Sequence, residues 1–256
     1  MVDTCCFRDE RAHAGRQRIG WLSGGFVVRF HNKLRYGPAR RIFNARTALL
    51  PSLALVVFLA LGAVSTRAEI VLLGLGDSLM AGYGLDERES FTVQLEAALR
   101  DKGHDVRLVN AGVSGDTSAG GRARLDWALA EKPDAAIVEL GANDGLRGLE
   151  PGQLYENLDA ILTRLKQEGV PVLLAGMLAP PNFGTEYAKA FKAVYIRLAE
   201  KHGSVFYPFF LDGVAAEKLL NQGDGIHPNR EGVAIIVERI LPKVEELLGR
   251  VKKTAG

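Results

Sequence analysis

From Glu69 onward, short apolar runs alternate with amphipathic stretches. Segments 70–75, 106–109, 135–140, 170–178 and 205–207 are brief and rich in aliphatic or β-branched residues. None alternates strictly between apolar and polar positions, the pattern expected of strands buried on both faces. Between them, apolar residues recur at helical spacing. Phe91, Leu95 and Leu99 follow one another every fourth residue, Tyr155, Leu158, Ile161, Leu162 and Leu165 form one apolar face, and Phe191, Val194, Tyr195 and Leu198 form another. This alternation of strand and helix predicts a parallel sheet with helices on both sides. A last helix is predicted from about residue 230 through Val233, Ile236, Val237 and Ile240. Pro242 is expected to kink it or to begin a new segment that continues through Val244 and Leu248. No repeat, low-complexity tract or Pro/Ser-rich linker breaks the chain after residue 68, so one domain over 69–256 is the simplest organisation.

The region before it has a different character. Arg35, Arg40, Arg41 and Arg46 precede an uncharged stretch over 47–66, with an apolar core at about 47–64 and small residues at its exit. That order is expected of a secretory signal, cleaved after Ser65 or after Ala68, which would place the mature protein in the periplasm or outside the cell. A retained membrane anchor is the alternative, since about 20 apolar residues span a bilayer. Pro51 and the short core favour cleavage. Arg40-Arg41 also faintly resembles a twin-arginine export signal. Residues 1–34 are long for the basic part of a leader, and a start codon placed too far upstream or a genuine extension accounts for them equally.

Charge changes the picture. Residues 1–68 hold 11 lysines and arginines against three acidic residues, whereas the remaining 188 hold 21 against 27. The folded part is therefore mildly acidic, and no basic stripe remains to bind nucleic acid. Both cysteines, Cys5 and Cys6, lie in the leader, which leaves residues 69–256 with neither a disulfide nor a thiol nucleophile. A vicinal cysteine pair without further ligands is a poor metal site, and no metal is expected.

Candidate chemistry falls where the predicted strands end. Gly76-Asp77-Ser78-Leu79 directly follows the first strand, and ligands of open α/β sheets bind beyond the carboxyl ends of the strands. A serine there is a nucleophile only if a base takes its proton, and on its own it is equally a helix N-cap. Three histidines follow residue 68. His104 sits in a polar turn suited to solvent, and His202 lies in the last turn of a helix, where a cation is favoured. His227 stands in the glycine-rich run Gln222-Gly223-Asp224-Gly225-Ile226-His227-Pro228-Asn229 that opens the final helix. Asp224, three residues earlier, is close enough to orient its ring, although Asp-x-x-His alone is also a common turn. Asn110-Ala111-Gly112-Val113-Ser114-Gly115-Asp116 and Gly141-Ala142-Asn143-Asp144-Gly145 follow the second and third strands. Each is able to supply donors to a developing oxyanion, and each is also an ordinary glycine turn when taken singly.

Taken together, the ordered blocks Gly-Asp-Ser-Leu, Gly, Gly-x-Asn-Asp and Asp-x-x-His resemble the SGNH, or GDSL, hydrolase superfamily. The runs Gly-Asp-Ser-Leu-Met-Ala-Gly-Tyr, Asn-Ala-Gly-Val-Ser-Gly-Asp-Thr-Ser, Val-Glu-Leu-Gly-Ala-Asn-Asp-Gly-Leu-Arg-Gly and Asp-Gly-Ile-His-Pro-Asn-Arg are similar to its bacterial branch of exported acyl-CoA thioesterase I, lysophospholipase and arylesterase enzymes. The likeness covers about 70–248. It implies a flavodoxin-like three-layer α/β/α sandwich around a parallel sheet of about five strands, with a shallow, mobile site. It implies Ser78 as nucleophile, His227 as general base and Asp224 as the residue that orients it. The implied oxyanion hole comprises the Ser78 and Gly115 N–H groups and the Asn143 side chain. No metal or organic cofactor is implied.

The same resemblance makes 144–149 a mobile substrate loop and places Asp144, Leu146, Leu149, Leu178 and Pro180 at the substrate. Leu149, and the run Leu178-Ala179-Pro180-Pro181, depart from the usual wording of the branch, which bears on acyl-length preference. The expected partner is a small-molecule acyl ester or thioester, hydrolysed by a monomer whose mature domain does not insert in a membrane. A carbohydrate O-acetyl esterase of the same superfamily is an alternative, disfavoured by apolar Leu146, Leu149, Leu178, Pro180 and Phe183. A non-enzymatic flavodoxin-like module holding a phosphate on Gly74-Leu75-Gly76-Asp77-Ser78 is more remote, because that run lacks the lysine and spacing of a phosphate loop and carries an acid where the anion would sit.

Overall fold

The computed structural model describes residues 69–251, so the expected leader, its cleavage site and both cysteines lie outside the described residues. The described chain runs β1 (Ile70–Gly76), α1 (Ser78–Ala81), α2 (Phe91–Asp101), β2 (Val106–Gly112), α3 (Ser118–Ala123), α4 (Leu125–Leu129), β3 (Ala135–Glu139) and α5 (Ala142–Leu146). It continues through α6 (Pro151–Gln167), β4 (Val172–Ala175), α7 (Thr185–His202), β5 (Val205–Tyr207) and α8 (Arg230–Leu248), with short 3-10 turns at Glu87–Glu89 and Pro181–Phe183.

All five strands are parallel, in the order β2-β1-β3-β4-β5. Connections between parallel strands cross over right-handed, so the step from β1 to β2 puts α2 on one face of the sheet. The steps in the opposite direction, from β2 to β3 and on to β5, put α3, α6 and α7 on the other. The packing agrees: α2 pairs with α8, while α6 pairs with α7 and α3. The result is the three-layer, flavodoxin-like arrangement expected from the sequence. Every residue of β3 and β4 is buried, which explains their apolar character, broken only by Glu139 at the end of β3. The predicted helix faces carry the core. Phe91, Leu95, Leu99, Leu158, Ile161, Leu165, Phe191 and Leu198 are all buried, each side chain contributing about 1.5–3 kcal/mol relative to exposure.

Two strand lengths and one helix differ from expectation. β2 extends to Gly112, because its register with β1 continues as far as Gly76. Gly112 has to be a glycine, since a Cβ there would run into the backbone of Met80 and Ala81. β4 is shorter than the apolar run 170–178. Pro171 has no N–H to begin the ladder. At the far end Gly176 bonds Tyr207 and Phe210 in a turn. α8 passes through Pro242 without a break, correcting the expected new segment. Pro242 and Glu238, whose carbonyl the proline leaves unpaired, both face solvent, while Ile240 and Val244 anchor the helix to the core on either side.

Sheet order reverses at β1, where the chain moves first to β2 and then across to β3. In doubly wound folds this switch point opens a crevice at the carboxyl ends of the strands. The segments leaving β1, β2 and β3 are three of the four singled out for chemistry, and the fourth, 222–229, opens α8. Among the described residues no helix is long and apolar enough to cross a membrane.

Candidate active site

Ser78 is the first residue of α1, immediately beyond β1. Asp77 caps that helix, its Oδ1 accepting the Leu79 N–H at 3.0 Å. Gly82, in the left-handed region at φ +78°, ends the helix after a single turn. A tight turn therefore holds the Ser78 hydroxyl at the mouth of a cleft of about 210 Å³.

His227 comes from the loop before α8. Its Nε2 lies 2.9 Å from Ser78 Oγ, and its Nδ1 lies 2.6 Å from Asp224 Oδ2. With Nδ1–H donating to the carboxylate, Nε2 is left to accept the serine proton. Asp224 Oδ1 accepts the backbone N–H groups of Ile226 at 2.9 Å and His227 at 3.0 Å. These two bonds, that from His227 foremost, followed by the His227 side chain, lower the Asp224 pKa to about 2. The turn that appeared as an alternative for Asp-x-x-His is therefore present, and it is what orients the carboxylate. Asn229 starts α8 by accepting the Gly232 N–H.

Gly115 and Asn143 line the same cleft as Ser78 and His227. Gly115 occupies the left-handed region at φ +85°. Asn143, in α5, donates its Nδ2 hydrogens to the Asp116 carbonyl at 2.9 Å and to Asp77 Oδ2 at 3.2 Å. The structure thus brings together all five residues assigned to triad and oxyanion hole. It also adds partners that the sequence did not flag. Arg124 gathers the strand ends, donating to Asp116 Oδ2 at 2.6 Å, to the Ala111 carbonyl at 2.7 Å and to the Gly76 carbonyl at 2.8 Å.

Below the nucleophile turn lie two buried carboxyl groups. Burial raises Asp77 to about pKa 6, against the bonds from Leu79 and Asn143. Burial, with the charge of Asp77 second, pushes Glu139 well above the usual range. Glu139 Oε2 accepts the Asp77 N–H at 3.3 Å, and Oε1 has no partner among the described residues. Burial therefore favours the protonated form of Glu139, with the charge of Asp77 beside it acting in the same direction. A single acid in the otherwise apolar strand Ala-Ala-Ile-Val-Glu was the sequence signal for this pair.

The substrate-side expectations divide. Leu146 lines the cleft. Asp144 does not, because it is buried, its two oxygens accepting the Ser118 hydroxyl at 2.6 Å and the Ser118 N–H at 2.8 Å. It ties α5 to α3 and leaves no oxygen for a substrate. Leu149, Leu178 and Pro180 also lie outside the cleft lining. Pro180 packs near Gly145, and the Leu149 carbonyl accepts from Tyr187. In their place Tyr83, Leu211 and Ile226 complete an apolar wall. Tyr83 belonged to the first motif run, whereas nothing in the sequence distinguished Leu211.

The other two histidines have structural partners. His202 bonds Asp159 at 2.7 Å from the last turn of α7. His104 is half-buried and reaches Glu245 on α8 at 3.3 Å, so it is not the purely solvated residue its turn suggested. Among the described residues no group of three or more potential metal ligands occurs.

The GDSL-like Lipase/Acylhydrolase family pattern matches residues 75–235. The esterase TesA of Pseudomonas aeruginosa is 44% identical over 197 residues, spanning 77% of this chain and 96% of the relative. The thioesterase 1/protease 1/lysophospholipase L1 of Escherichia coli (strain K12) is 39% identical over 194 residues, 75% of this chain and 91% of the relative. The crystal structure of AlinE4, an SGNH-hydrolase family esterase, is similar with a TM-score of 0.60 at 47% identity, over 70% of this chain and 97% of that one.

Proposed function

We propose that this chain, which belongs to the GDSL-like lipase/acylhydrolase family, hydrolyses acyl esters and thioesters through an acyl-Ser78 intermediate. The observation that carries this reading is the relay from Asp224 through His227 to Ser78, with contacts of 2.6 and 2.9 Å, at the mouth of an apolar cleft.

Ser78 Oγ attacks the acyl carbon as its proton passes to His227 Nε2. The Asp224 carboxylate, charged down to about pH 2, stabilises the imidazolium that forms. Negative charge on the former carbonyl oxygen is met by the Ser78 and Gly115 N–H groups and by Asn143 Nδ2, which keeps its bond to the Asp116 carbonyl and turns the hydrogen of its longer bond, to Asp77, towards the oxyanion. His227 returns the proton to the departing alcohol or thiol. Water then repeats the sequence on the acyl-enzyme and releases the acid.

The wall of Tyr83, Leu146, Leu211 and Ile226 suits an acyl chain. The names of the relatives, an esterase and a thioesterase/lysophospholipase, support aryl esters, acyl-CoA and lysophospholipids as substrate classes. Residues 69–256 form the hydrolase domain, and the leader directs it to the periplasm or beyond, where it acts as a monomer. The basic, apolar, small-residue order of 35–68 supports that route. Rates on p-nitrophenyl esters of increasing chain length, an acyl-CoA and an acetylated sugar test the function. Faster turnover of the acyl esters and thioester is expected, and turnover confined to the acetylated sugar overturns it.

A further inference from the structure

The contact between His227 and Ser78 exists only while Ser78 carries its hydroxyl proton. In an acyl-enzyme that proton is gone, yet His227 must remain in place to activate water. A second connection between the two loops is built from Gln222. The Tyr83 N–H donates to the Ser78 carbonyl at 3.0 Å, and the Tyr83 carbonyl accepts from Gln222 Nε2 at 2.8 Å. Gln222 Nε2 also donates to the Pro228 carbonyl at 3.0 Å, and its backbone N–H donates to the His227 carbonyl at 2.7 Å. Main chain of nucleophile and main chain of base are thereby joined without using either reactive side chain. Gly84, at φ +74°, leaves room for this glutamine, because a Cβ there would overlap the Gln222 amide. The Tyr83 ring, 4.7 Å from the His227 ring, closes the same side.

We propose that Gln222 is a positioning residue that holds His227 over the acyl-enzyme and so serves deacylation more than acylation. The inference rests on the acyl-Ser78 reading above. In acylation the Ser78 hydroxyl itself anchors Nε2. In deacylation the water oxygen bonds to the acyl carbon while its proton goes to Nε2. The bond from that carbon to Ser78 Oγ then breaks, and Oγ recovers the proton from His227. The Gln222 strap, Asp224 and the packed Tyr83 ring hold His227 when this begins. A displacement of about 1 Å costs on the order of 10²-fold in such a step.

Gln222→Glu keeps shape and packing against Gly84 but, ionised, donates to neither carbonyl; Gln222→Ala removes both side-chain bonds and keeps only the backbone N–H to the His227 carbonyl. Rapid-quench mass spectrometry of the full enzyme with a p-nitrophenyl ester measures both steps. Formation of the acyl adduct should change less than about threefold, while its decay slows about 10- to 100-fold, so acyl-Ser78 accumulates in the variants. If Gln222→Ala does not fold, Gln222→Glu decides, with circular dichroism confirming its structure. Equal losses in both steps, or no loss in either, overturn the strap while a Ser78 adduct upholds the acyl-enzyme. An adduct on another residue overturns both.

Discussion

Asn143 Nδ2 donates to Asp77 Oδ2 across 3.2 Å, so the side chain assigned to the oxyanion is held by a buried carboxylate before any substrate arrives. Asp77 caps the turn that carries Ser78, which couples oxyanion donor and nucleophile to one anchor. Asn143→Ala should lower kcat by roughly 10²–10³ with a smaller change in KM. It also strips Asp77 of a donor, at a cost of about 1–3 kcal/mol in a urea titration. Unchanged kcat would remove Asn143 from the oxyanion hole.

Asp224 sets a different expectation. Its pKa of about 2 keeps it ionised throughout any practical assay, so its titration does not shape the acid limb of the rate profile. A carboxyl depressed in the native state adds stability above its unfolded value near 3.8, and that stability is lost as pH falls towards about 2. Asp224→Asn should cost about 10³–10⁴ in kcat at every pH, through loss of the charge and of the ring tautomer it selects. A loss confined to low pH would contradict this.

Glu139 acts in the opposite sense. Its native pKa is raised, so above 4.5 the native state holds a proton that the unfolded state has released. Unfolding free energy should therefore fall as pH rises, and Asp77 adds to that slope between 3.8 and about 6. Glu139→Gln should flatten the dependence measured by urea unfolding as pH rises above 4.5. A steeper slope in the variant would show that Glu139 is charged in the native state.

Asp144 and Leu146, two residues apart on α5, should separate cleanly. Asp144→Ala should destabilise the protein by about 1–3 kcal/mol through the stranded Ser118 groups, with KM little changed. Leu146→Ala should leave stability near wild type and raise KM for longer acyl esters by about threefold to tenfold. Thermal unfolding and a chain-length series measure both.

Residues whose role follows from local spacing were legible in the sequence. Asp224 reaches His227 within one turn of chain, and the helix faces around Phe91, Leu158 and Phe191 follow from periodicity alone. Less was visible where a role depends on which distant segment folds nearby. Leu211 and Ile226 become cleft walls only through the course of the loop before α8. Asp144 was placed at the substrate by the resemblance of 144–149 to a substrate loop, yet a helical step of about 100° beyond Asn143 turns it from the cleft towards Ser118. Arg124 gave no signal, since its acceptors lie on two distant segments, the end of β1 and the run 110–116 at the end of β2. Of the two outcomes expected at Pro242, the new segment was not legible as wrong, because it depends on whether the freed carbonyl meets water or core.

The most direct test of the central claim is covalent labelling with a fluorophosphonate, followed by peptide mass spectrometry. The account predicts a single adduct on the peptide containing Ser78, loss of ester turnover in proportion to labelling, and neither labelling nor turnover in Ser78→Ala. An adduct on another residue, or a Ser78→Ala protein that still turns over a short acyl ester at the wild-type rate, would contradict it.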